Sequence, residues 1–287
     1  MNLKPFRRLI AFAGAALLLA AQSLTLPVKE GSVRFLAFGD MGTGRPPQYE
    51  LAQRMVELRQ KFPFTFVLML GDNIYGGKTD DDLRKKFEIP YKPLLDAGVQ
   101  FYASLGNHDD TNERFYKFFN MNGQRYYYFK KGNVRFFALD SDYMDPDQFA
   151  WLEKGLSTAE TDWKICYFHH PLYSSGKTHG STVELRLVLE PLFVKYGVQV
   201  VFSGHDHVYE RVKPQKGITY FVEGAAGELR EGDLAKTDLT AAGNDQDRSF
   251  LAVEISGNDM FFQAVSRTGA TIDSGTVHRA TAAATKP

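Results

Sequence analysis

Six times along this 287-residue chain a short apolar run stops abruptly at side chains carrying oxygen or imidazole. Residues 33–38 run into Gly39-Asp40, 65–70 into Gly71-Asp72-Asn73, and 100–105 into Gly106-Asn107-His108-Asp109. Residues 134–139 run into Asp140-Ser141-Asp142, 164–168 into His169-His170-Pro171, and 198–202 into Ser203-Gly204-His205-Asp206-His207. The runs are short, rich in β-branched or aromatic residues, and bounded by Gly or Pro. They read as strands buried within a sheet.

Helical patterns lie between several of these runs, so the expected class is α/β. Residues 48–61 carry Leu51, Met55 and Leu58 at helical spacing, and a helix is expected to start at Asp80 with acidic residues in its first turn. Asp145-Pro146 has the form of an N-cap followed by Pro at the first helical position. Residues 182–196 place Leu185, Val188, Leu189, Leu192 and Phe193 on one stripe, with Pro191 inside and Gly197 as the stop. From Gly217 onward, 218–222, 249–255 and 259–265 read as strands, the last two joined by a turn through Ser256, Gly257 and Asn258. They are expected to run antiparallel and complete a second sheet, with 228–248 as a long surface loop.

The N-terminus has the layout of a secretory signal: Lys4, Arg7 and Arg8, then an apolar stretch over 9–21, then small residues. That gives an export segment at 1–23, one catalytic-sized domain over 24–279 and a flexible tail over 280–287, with a secreted or periplasmic location. The apolar stretch is short for a membrane span, though an uncleaved anchor is the competing reading. Without those three basic residues the chain keeps 31 basic against 34 acidic residues, which gives no footprint for nucleic acid or an anionic membrane. Cys166 is the only cysteine and sits in an apolar run, so it reads as a core thiol; no intramolecular disulfide is possible.

Ligands in open α/β sheets bind beyond the carboxyl ends of strands. Here those ends offer Asp40, Asp72, Asn107, His169, His205 and His207, all donors suited to Fe, Zn or Mn. A lone Gly-Asp is a common turn and a lone strand-end His is commonly structural. The ordered set is far more specific than its parts.

The series Asp40-Met41-Gly42, Gly71-Asp72-Asn73-Ile74-Tyr75, Gly106-Asn107-His108-Asp109, His169-His170-Pro171 and Gly204-His205-Asp206-His207 resembles the calcineurin-like metallophosphoesterases, within them the small purple (tartrate-resistant) acid phosphatases. The resemblance spans about 33–207 and implies two packed β-sheets flanked by helices, a four-layer α/β/β/α sandwich. It further implies two metal ions: Fe(III) held by Asp40, Asp72, Tyr75 and His207, and Fe(II), Zn or Mn held by Asp72, Asn107, His169 and His205, with Asp72 bridging. The implied reaction is hydrolysis of phosphate monoesters by a metal-bound hydroxide, the leaving group protonated by His108 or His179. Two carboxylates and a phenolate would leave net positive charge to attract the phosphate.

Two residues select the branch. Many members of the superfamily carry His where Gly42 stands, whereas Tyr75 matches the tyrosinate ligand of the purple phosphatases. The long protease-sensitive insert of mammalian-type members is missing, since only 141–144 separate the strand end from Asp145. No proteolytic switch of that kind is therefore expected. The competing readings are a phosphodiesterase of the same superfamily and a non-catalytic secreted metal-binding domain. Expected partners are a small phosphate ester or a phosphoprotein, with no nucleic acid and no membrane after signal removal; oligomeric state stays open. Loops 76–80, 111–122 and 174–181 are placed to shape specificity. Phe115, Tyr116, Phe118 and Phe119 are expected in the core, His170 pointing away from the site, and His278 at the surface.

Overall fold

The computed structural model describes residues 24–77, 79–159 and 162–279. The expected export segment and tail lie outside them. All six motif-bearing runs are strands: β1 (Val33–Phe38), β2 (Phe66–Leu70), β3 (Gln100–Ser104), β5 (Val134–Ala138), β6 (Trp163–Tyr167) and β7 (Val200–Ser203). Between β3 and β5 lies β4 (Tyr127–Lys131), and β8 (Tyr209–Val212) and β9 (Thr219–Glu223) follow β7. The chain then adds β10 (Thr240–Asn244), β11 (Ser249–Ser256), β12 (Asp259–Ser266) and β13 (Thr271–His278). One sheet has the order β13-β12-β11-β1-β2-β3 and the other β10-β8-β9-β7-β6-β5-β4.

The helices are α1 (Pro46–Arg59), α2 (Asp80–Leu83), α3 (Ile89–Asp96), α4 (Pro146–Ser157) and α5 (Val183–Tyr196), with a π-helical turn over Arg84–Glu88 joining α2 to α3. Local chemistry explains their ends. Asp145 accepts a hydrogen bond from the Gln148 N–H at 2.8 Å, capping α4, and Pro146 opens the helix without wasting an N–H. Gly197 closes α5 in a left-handed conformation at φ 66°.

Strand alternation builds the layers. In β1, Phe35 and Ala37 face the opposite sheet, while Leu36 and Phe38 face α1 and α3. In β2, Phe66, Leu68 and Leu70 divide from Val67 and Met69 in the same way. Burial on both faces is why these strands read as unbroken apolar runs. Phe35, Phe66, Phe136, Phe202 and Leu251 fill the space between the sheets; each such side chain contributes roughly 2–3 kcal/mol by leaving water. Leu152 of α4 and Leu189 and Phe193 of α5 cover the second sheet over Phe137, Cys166 and Val201. The four-layer sandwich is therefore present.

Four expectations change. The strands β11, β12 and β13 extend the first sheet through antiparallel pairing of β11 with β1, instead of completing the second. The reason is that Leu251 and Val253 share the inter-sheet core with Phe35. The segment 228–248 is not all loop: β10 pairs with β8, but its small, half-exposed residues give little sequence signal at a sheet edge. Of the four aromatics expected in the core, Phe119 is buried and Tyr116 and Phe118 pack against it, but Phe115, at the end of a 3-10 turn, is 64% exposed. His170 turns toward the site, because the backbone leaves the extended conformation after β6.

Candidate metal centre

The six strand ends converge. Asp40, Asp72 and His205 all sit at positive φ, 56°, 50° and 71°. Left-handed backbone at non-glycine residues costs about 1–3 kcal/mol each and persists where the surroundings impose it. Two backbone donors hold the carboxylates: His205 N–H reaches Asp40 Oδ2 at 2.9 Å, and His108 N–H reaches Asp72 Oδ1 at 2.8 Å. Asp40, Asp72 and His169 form a buried floor, with one donor atom of each within 4.8 Å of the others. Asn107, His108 and His179 form an exposed rim.

Two clusters share that floor. On one side the Tyr75 hydroxyl lies 3.0 Å from Asp40 Oδ1 and 3.2 Å from His207 Nε2, and His207 Nε2 lies 3.3 Å from Asp40 Oδ1. On the other, His169 Nε2 lies 3.0 Å from Asn107 Oδ1, 3.1 Å from His205 Nδ1 and 3.4 Å from Asp72 Oδ1. His169 Nδ1 is 3.0 Å from the Leu70 carbonyl, which can only accept, so Nδ1 carries the proton and Nε2 is a bare lone pair. That lone pair faces the oxygens of Asn107 and Asp72 with no proton to share. A cation resolves this repulsion, so the donor set fits metal binding.

Electrostatics agree. Burial first, then the Asp72 charge, pushes the Asp40 carboxyl well above the usual range. Burial pulls the imidazoles down: His169 far below its ordinary value, His205 to about 2 and His207 to about 4, the neutral state a metal requires. Burial and the Asp40 and Asp72 charges raise Tyr75, so the bare site opposes a phenolate, and only a multivalent cation would reverse that.

The six candidate donors at the strand ends, and Tyr75, which the resemblance added, thus gather in one place. Of the two proton-donor candidates, the His108 ring stands 5.0 Å from that of Tyr75, and the His179 ring 4.2 Å from that of His205. His170 joins them, 4.4 Å from His205, with Nδ1 2.9 Å from Ser141 Oγ. Residues without an assigned role prove to organise the loops. Asp109 accepts from the N–H groups of Gly106, Asn73 and Ile74 and from Asn73 Nδ2. Asp206 accepts from Ser174 Oγ at 2.5 Å and from Gly180 N–H at 3.2 Å, fixing the loop that carries His179. Both were visible as the remaining polar members of the same motifs.

Behind Asp40, Glu223 is fully buried; Oε1 accepts from Ser249 Oγ at 2.7 Å and Oε2 has no hydrogen-bond partner among the described residues. Burial raises its carboxyl to about 8 from an ordinary 4.5. Its stabilising share is complete below pH 4.5, declines as pH rises, and is gone once pH passes about 8. Glu223→Gln should therefore melt with the wild type at pH 4.5 and several degrees above it beyond pH 8, in metal-stripped protein. Each 1 kcal/mol corresponds to about 2–4 °C. Equal melting points at both ends of the range would refute a neutral buried acid.

Residues 33–209 match the family model for calcineurin-like phosphoesterases. The chain is 28% identical over 255 residues to the rabbit (Oryctolagus cuniculus) tartrate-resistant acid phosphatase type 5, covering 73% of this chain and 78% of the relative. Its structure is similar to that of GAP50, the anchor in the inner membrane complex of Plasmodium, with TM-score 0.78, 21% identity, and coverage of 87% and 90% of the two chains. It is also similar to purple acid phosphatase PPD1 from yellow lupin (Lupinus luteus) seeds, with TM-score 0.71, 20% identity, and coverage of 88% and 55%. At these identities the structural likenesses speak for the fold alone. No helix among the described residues is long and apolar enough to cross a membrane.

Proposed function

The chain belongs to the calcineurin-like phosphoesterase family, and from that premise we propose that it is an exported, metal-dependent phosphatase that hydrolyses phosphate monoesters in the manner of purple acid phosphatases. The observation that carries this reading is the crowding of amide, carboxylate and imidazole donor atoms around His169 Nε2, with a second cluster of carboxylate, phenol and imidazole beside it at Asp40 Oδ1. Asp40, Tyr75 and His207 would hold Fe(III), because a carboxylate and a phenolate are hard, anionic donors. Asn107, His169 and His205 would hold Fe(II), Zn or Mn, and Asp72, between the two clusters, would serve both ions. When bound, the two ions polarise the phosphoryl oxygens and acidify water.

The chain's own residues do the rest. The buried floor excludes bulk water beneath the phosphate, and the Leu70 carbonyl keeps His169 in the tautomer that presents Nε2. His108, on the exposed rim with its backbone tied to Asp72, would protonate the leaving oxygen. His179, on the loop fixed by Asp206 and with its ring 4.2 Å from that of His205, would steady the substrate.

Metal analysis joined to hydrolysis of an aryl phosphate tests the reading. The purified protein should contain two metal equivalents including iron, be coloured by tyrosinate-to-iron charge transfer, and release the aryl alcohol. Tyr75→Phe should lose the colour. A colourless, iron-free protein with full activity would point to a zinc or manganese phosphodiesterase, and two metals without hydrolysis to a binding domain.

A further inference from the structure

Arg230 lies in the segment after β9, which is strapped to the metal centre by its backbone. Gly227 and Glu228 N–H groups both donate to the Asp40 carbonyl at 3.0 Å, and Arg230 N–H donates to the His207 carbonyl at 3.1 Å. The far end of the segment is clipped to the His179 loop: Lys177 N–H donates to the Asp233 carbonyl at 2.9 Å, and Thr178 Oγ1 to Asp233 Oδ1 at 2.6 Å. Arg230 is therefore held beside His207, between that strand end and the loop that carries His179.

Its guanidinium is unusual among the charged groups there. Nη1 is shielded from solvent and reaches no acceptor among the described residues. The adjacent carboxylate of Glu228 is engaged by Arg45 at 3.1 Å; Asp233 spends Oδ1 on Thr178, and its buried Oδ2 makes no hydrogen bond to Arg230 or to any other described residue. A buried, unmatched charged donor is costly and is retained where a ligand supplies the acceptor. The ligand it suits is an oxyanion, because guanidinium donors match phosphate oxygens.

We propose that Arg230 is a specificity-determining residue that binds a non-bridging oxygen of the substrate phosphate and favours dianionic monoesters over monoanionic diesters. The inference rests on the phosphatase reading above. A monoester presents a second full negative charge to the guanidinium; a diester replaces that oxygen with an esterified one, which weakens the contact.

Arg230→Met and Arg230→Lys, compared with wild type on p-nitrophenyl phosphate and bis-p-nitrophenyl phosphate, test this, with inorganic phosphate as competitive inhibitor and metal content measured in parallel. Arg230→Met should raise KM for the monoester and weaken phosphate inhibition by about tenfold to a hundredfold, the usual size of a charge-assisted contact. Its kcat and metal content should change little, and its diester kcat/KM far less than its monoester value. Arg230→Lys should recover part of the loss. Equal losses on both esters, or an unchanged inhibition constant for phosphate, would overturn the proposal in favour of a loop-supporting role. A wild type that hydrolyses neither ester sinks the phosphatase reading itself. A folded, active wild type with an indifferent Arg230→Met sinks only this inference. Should Arg230→Met not fold, the Lys variant decides by the same monoester-to-diester ratio and phosphate inhibition.

Discussion

Asp72→Asn is expected to empty the metal centre and reduce phosphate ester hydrolysis by more than about a thousandfold. The substitution keeps shape and removes charge. Asp72 is buried, held at φ 50°, and lies between the two donor clusters: Oδ1 is 3.4 Å from His169 Nε2, while the Asp40 carboxyl feels its charge from the other side. An amide there supplies no anionic oxygen to share between two cations, and its NH2 places protons where a metal should be. Metal content by elemental analysis and kcat on an aryl phosphate give the result. A variant with two metals bound and near wild-type turnover would show that Asp72 does not serve both ions. The fold should survive, because His108 N–H can still donate to the amide oxygen.

Gly42→His, which installs the residue that many superfamily members carry, is expected to cripple this chain instead of restoring anything. A Cβ at position 42 would come 1.9 Å from the Asn73 carbonyl oxygen and 2.7 Å from Ile74 Cα, both backbone atoms that cannot step aside. The close approach has a purpose. Tyr75 N–H donates to the Gly42 carbonyl at 3.0 Å, which draws the 73–75 loop inward until the phenol meets Asp40 at 3.0 Å. Gly42 and Tyr75 are thus one structural choice. Forcing the loops apart should cost about 1–3 kcal/mol, lower the melting temperature by several degrees and abolish colour and most activity. A stable, active Gly42→His protein, read by thermal melt and aryl phosphate hydrolysis, would mean that an imidazole at 42 can replace Tyr75.

The donors themselves were legible because each lies within a few residues of a strand end, and a strand end is a local event. Asp40, Asp72, Asn107, His169, His205 and His207 could be picked out from apolar runs and stops alone; Tyr75 needed a family likeness. The helix caps at Asp145 and Gly197 were legible for the same reason: a cap concerns four or five consecutive residues. Edge strands were harder. The polar run of β13 and the small residues of β10 pair on one side only, so nothing forces an apolar pattern on them.

By itself, then, the sequence determined where strands begin and stop, which chemistry stands at their ends, and that the chain alternates strand with helix. Tertiary structure decided which strands are neighbours: Ala252 lies beside Leu36 across more than two hundred residues, and no local pattern encodes that register. It also decided that His170 faces the imidazoles, that Gly42 touches Asn73, and that Arg230 Nη1 meets no acceptor among the described residues. The physical reason is common to all of these. Periodicity and turn chemistry act along a few residues of chain, whereas register, close backbone approach and the pairing of charges are settled among residues that only the packed sheets bring together.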